Sequence, residues 1–71
     1  MAAQYITARI ATREVGGIRV RGIMVSVLDE DYKPMDWSIE EDVDAARIAA
    51  SNFATQYHCP IAKLTERLLN I

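Results

Sequence analysis

Seventy-one residues, 51% hydrophobic and 25% charged, make one small domain, residues 1–71, whose single core hides only about 60% of the extended chain's surface. No low-complexity tract, no repeat and no apolar run near the ~20 residues of a membrane span occurs, which excludes fibrous, disordered and helical membrane classes. The net charge of −2 hides an uneven layout: +3 over residues 1–28, −7 over 29–44 and +2 over 45–71.

Residues 5–28 read as a β-hairpin turning at Gly16-Gly17, because a two-residue hairpin loop needs positive φ and glycine adopts it without steric cost. That turn sets Val15 opposite Ile18, Glu14 opposite Arg19, Thr12 opposite Arg21, Ile10 opposite Ile23, Ala8 opposite Val25 and Ile6 opposite Val27. One face of the ribbon is then apolar at its base (Ile6, Ala8, Ile10, Ile23, Val25, Val27) and polar towards the turn, and a one-residue slip would destroy the match. The other face holds Tyr5, Ile18, Val20, Met24 and Leu28, more grease than a solvated face carries. A third strand, the C-terminal helix or a second copy is expected to cover it, since a lone ribbon is marginal in water.

Asp29–Trp37 reads as a loop, on the strength of Pro34 and its acids, with Trp37 packing on the helix that follows. From Ser38 to Tyr57 apolar side chains recur at Ile39, Val43, Ala46, Ala50, Phe53, Ala54 and Tyr57, the spacing of one helical face. Ser38 and Glu41 have the spacing of a capping box, and acids fill the first turns. His58-Cys59-Pro60 ends this helix, and a shorter one is expected from about Pro60 to Leu69, with Ile61, Leu64, Leu68 and Ile71 inward. The predicted fold is α+β in the order ββαα, the long helix lying over the base of the hairpin and residues 12–21 projecting beyond it.

Catalytic chemistry has little to stand on. His58 and Cys59 are the only such pair, they are neighbours in sequence, and a zinc site needs three or four ligands. The glycines at 16, 17 and 22 form no phosphate-binding fingerprint, so no enzyme, metal or cofactor is expected. The lone Cys59 and an N-terminus without signal-peptide layout suit a cytoplasmic protein.

Two charged surfaces remain. Arg9, Arg13, Arg19 and Arg21 lie on the ribbon, and guanidinium forks match carboxylates and phosphates. The acidic stretch supplies Asp29, Glu30, Asp31, Asp36, Glu41 and Asp44, with Ile48 an apolar outlier on the helix's polar side. The expectation is a non-enzymatic interaction module, an inhibitor or adaptor that engages a protein partner through the acidic stretch and the arginine tip, acting as a homodimer. The alternative is a β-ribbon nucleic-acid-binding protein using the arginines. In size, acidity and lack of catalytic chemistry the chain resembles, in general type, the small inhibitor proteins of phages and other mobile elements.

Overall fold

Two glycines with φ of 57° and 84°, Gly16 and Gly17, close the type I′ turn between β1 (Ala3–Val15) and β2 (Ile18–Asp29). The structure, a computed structural model, describes residues 2–71. All six cross-strand pairs expected from the turn are present, from Val15 opposite Ile18 down to Ile6 opposite Val27.

The connection departs from expectation. Pro34–Glu40 is a third strand, β3, antiparallel to β2 at the edge of a sheet ordered β1-β2-β3. Proline opens an edge strand without cost to the ladder, because its missing N–H costs nothing at a strand's first residue. The alternation is real: Asp36, Ser38 and Glu40 lie opposite Val27, Val25 and Ile23, while Trp37 and Ile39 share the other face with Ser26 and Met24. Trp37 is consequently 55% exposed and does not pack on the helix. A buried Asp29 shapes the tight turn into β3, its Oδ1 accepting from the backbone N–H groups of Asp31 (2.8 Å) and Lys33 (3.0 Å).

The long helix, α1, runs from Val43 to Tyr57 and is capped by Asp42, whose Oδ1 accepts from the Ala45 N–H at 2.8 Å. Moving the cap from Ser38 to Asp42 shortens the rod by about 6 Å. It therefore stops short of Ile10, which stays 53% exposed instead of entering the core. Ala46 and Ala50 are fully buried, and their small side chains let α1 settle closely on Val25, Val27 and Ile6. His58 ends α1 in the left-handed region (φ 52°), as a C-cap residue does.

The last segment turns back along the free edge of β1. Residues 60–62 form a parallel bridge there: Ile6 N–H donates to Pro60 O and Ala62 N–H to Ile6 O, both at 2.9 Å. The final helix, α2, thus begins only at Lys63 and ends at Leu69. It presents Thr65 and Leu69 to the core, and the Thr65 Oγ1 accepts from Ala8 N–H at 3.1 Å. Leu64, Leu68 and Ile71, expected inward, are 78%, 39% and 53% exposed, because this edge pairing sets the helix's rotation.

Both helices cover one face of the sheet. The third strand extends the sheet sideways, so among the described residues no element covers the face carrying Tyr5, Met24, Leu28, Trp37 and Ile39. The α+β class and element order are as predicted, with one more strand.

The position of the cap has a measurable consequence. Asp42→Ala should cost about 1 kcal/mol, a fall in Tm of about 4–8 °C. Ser38→Ala should be neutral or slightly stabilising, because the Ser38 Oγ is buried on β3 without a hydrogen-bond partner. Thermal melts of the two variants check this, and the reverse ranking would return the helix start to Ser38.

Candidate interaction surface

Below Ile23 the sheet has three strands and a helical cover; above it the hairpin continues alone. Residues 12–21 are exposed without interruption, a two-stranded arm with residues 12–15 on one strand and 18–21 on the other, roughly 13 Å long. Strand alternation sorts its side chains. Thr12, Glu14, Arg19 and Arg21 stand on the face that carries α1 lower down, and Arg13, Val15, Ile18 and Val20 on the other. Ile18 is 68% exposed and Val15 51%, and no core lies under either.

Among the described residues the one ion pair is Arg47–Asp44, at 3.1 Å. Glu14 and Arg19 face each other across the ladder without closing a salt bridge, so the arm keeps its cationic character. Arg9, nearer the core, instead lies across the sheet and donates from Nη2 to the Met24 Sδ at 3.5 Å. Arg13, Arg19 and Arg21 stand in water on the arm.

The acidic stretch does not form one patch. β3 spans about 23 Å and separates Glu30 and Asp31, at the base of the sheet, from Glu41, Asp42 and Asp44, at the neck below the arm. Several of these carboxylates hold the fold together. Asp29 is 2% exposed and occupied by its own turn. Asp36 accepts from the Trp37 N–H (2.8 Å) and from the Tyr57 hydroxyl (2.7 Å), tying β3 to the end of α1. Glu30 accepts from the Ala2 backbone N–H at 2.8 Å, which holds its carboxyl below the usual range. Of the proposed partner-binding acids, Asp31, Glu41 and Asp44 remain exposed without a bond to another strand or helix. The single acidic surface expected from the sequence is therefore corrected to two small clusters.

Ile48, 64% exposed, has a specific setting. With Arg47, Ser51, Ile61 and Ile71 it lines a shallow groove of about 310 Å³ between α1 and the C-terminal segment. The Arg47 Nε donates to the Leu69 carbonyl at 2.8 Å, so its guanidinium braces one wall of the groove.

Cys59 is buried, and burial pushes its thiol up, away from the thiolate a nucleophile needs. Among the described residues no group of three His, Cys, Asp or Glu side chains is placed to hold a metal ion, and no helix is long and apolar enough to cross a membrane.

The hairpin reading gives the arm, its arginines and the apolar surplus at Ile18, Val20, Met24 and Leu28; the cover expected over that surplus is not supplied by the third strand or by either helix, among the described residues. Compared with family models, curated proteins and solved structures, the chain matches none.

The Asp36 contact makes stability depend on alkaline pH. The hydrogen bond to Asp36, then burial, then the carboxylate's charge raise the Tyr57 phenol above its ordinary 10.0. A raised pKa means that the contribution is complete below pH 10.0 and is lost as pH climbs through the folded value. Tyr57→Phe should therefore lower Tm at pH 7 and flatten the fall in Tm above pH 10, as melts across pH 7–11.5 would show. An unchanged alkaline slope would discount the contact.

Proposed function

We propose that this chain is a non-enzymatic protein-interaction module of the inhibitor or adaptor kind, gripping a protein partner with the exposed arginine-bearing arm. The observation that carries the reading is the arm itself. Residues 12–15 and 18–21, joined by the Gly16-Gly17 turn, are held in ladder register beyond the reach of the core and are exposed on both faces. Contact residues in that position add little to the packing of their own chain. Their arginines and branched apolar side chains are the mixture suited to protein interfaces, with Arg supplying directional bonds and apolar neighbours supplying area. The acidic clusters at the neck and base are secondary contacts, through Glu41 and Asp44 at one end and Asp31 at the other.

The nucleic-acid reading has one observation in its favour: the arm is a two-stranded ribbon whose arginines form no salt bridge among the described residues, and such ribbons enter a major groove. The neck acids oppose it, since they would approach the phosphate backbone behind the arm.

Replacing Arg13, Arg19 and Arg21 together by Glu separates these readings from a purely structural arm. The substitution should move Tm by only a few degrees, because all three side chains are exposed. It should also abolish recovery of partner proteins from a native lysate by the immobilised chain. Recovery unchanged by the triple variant would refute the arm as the gripping surface. A low-salt gel shift with duplex DNA, lost in the same variant, would move the reading to nucleic acid.

A further inference from the structure

The hydrogen-bond parity of the hairpin shows which backbone groups the arm leaves open. Val15 and Ile18 close a two-residue loop and so exchange both their main-chain bonds. Alternation then turns the N–H and C=O groups of Arg19, Arg21 and Ile23 towards the β3 side of β2. The same parity turns Ile6 and Ala8 towards the far edge of β1, where their N–H groups do bond Pro60 O and the Thr65 Oγ1. At Ile23 the β3 side is filled, because Ile23 pairs with Glu40. One residue further the chain leaves the sheet, and Asp42 turns it into α1. Gly22 marks the departure: a Cβ there would lie 2.9 Å from the Glu40 carbonyl oxygen, so only glycine lets β3 pass that close before turning away. Beyond it, Arg19 and Arg21 hold two N–H donors and two C=O acceptors on an edge with no strand beside it.

We infer that this open edge of β2, in line with β3, is a strand-addition site for an extended segment of a partner protein in which acidic and apolar residues alternate. The inference rests on the interaction-module reading and names the partner's chemistry. Side chains directly opposite each other in a ladder share a face and interact. A residue opposite Arg19 or Arg21 stands beside a guanidinium on the α1-bearing face, where a carboxylate is matched and a lysine repelled. The residue between them stands beside Val20, on the apolar face. The matching segment therefore reads acid–apolar–acid. The chain's own β3 already has that character on the same edge, with Asp36 and Glu40 on one face and Trp37 and Ile39 on the other. A second copy is a poor occupant: antiparallel pairing of two β2 edges about Val20 would set Arg19 against Arg21 in both halves. Glu40, Glu41 and Asp42 lie at the lower end of the slot, which confines the added acids to the arginines above.

A fluorescein-labelled peptide, Gly-Glu-Val-Glu-Val-Glu-Gly with blocked ends, tests the site against the full chain. Anisotropy should show it binding at least tenfold more tightly than its isomer Gly-Glu-Glu-Glu-Val-Val-Gly, and a lysine-for-glutamate version should not bind. Arg21→Glu and, separately, Arg19→Glu should each weaken binding about tenfold, with amide NMR spectra confirming an intact fold. Amide shifts on adding the peptide should concentrate at residues 19–22. Equal binding of the two glutamate isomers would reduce the effect to net charge and overturn the proposal. Shifts centred on β1 or on the outer sheet face would also overturn it, as would preference for a single-stranded DNA oligonucleotide of equal charge. Loss of partner recovery in the triple arginine variant, with no peptide binding, would leave the arm as the gripping surface and reject only its edge.

Discussion

A positive-φ glycine pair sets the register of the β1–β2 ladder, and the remaining structure follows from that register. Because Val15 meets Ile18, every even residue of β1 from Ile6 to Glu14 stands on the helix side. The core is then built from Ile6, Val25 and Val27 with Ala46, Ala50 and Leu69 above them. The same choice turns the N–H groups of Ile6 and Ala8 outward, where the C-terminal segment uses them. A slip of one residue would invert the core face and the edge bonding together.

The hairpin was legible because two independent signals, turn chemistry and period-two alternation, converge on one register. The stretch 34–40 was not, because its signals conflict. Ser38-Ile39-Glu40 fits a capped helix start, with Ile39 one turn ahead of Val43 on the apolar stripe. It fits equally well a strand with Ile39 outward beside Met24. Local propensity does not separate these; pairing with β2 does, and pairing is non-local. The same conflict bears on the site. A helix beginning at Ser38 would have covered Ile10 and gathered the acids around one loop. The third strand instead leaves Ile10 in water and carries the acids to opposite ends of itself. The rotation of α2 was hidden for the same reason, being fixed by bonds from Ile6 and Ala8 and not by its own pattern.

The arm carries the clearest mismatch between what the core needs and what the chain builds. Ordering a residue's backbone costs about 1–2 kcal/mol, and an isolated ribbon recovers that only marginally in water. Every residue from 12 to 21 is exposed, and Val15 and Ile18 keep 51% and 68% of their surface in water. Their ladder is held at one end by the three-stranded base and at the other by the Gly16-Gly17 turn, so they are ordered but under-supported. A partner strand along β2 would change that balance in a particular way. It would convert the arm from two strands to three, satisfy the edge groups of Arg19 and Arg21, and continue the sheet where Asp42 diverts the chain into α1. The ladder's existing order lowers the entropic cost of adding that strand, since one side of the pairing is already fixed before contact. The arginines act as the selective element on an edge that would otherwise accept any extended chain, including another copy of itself.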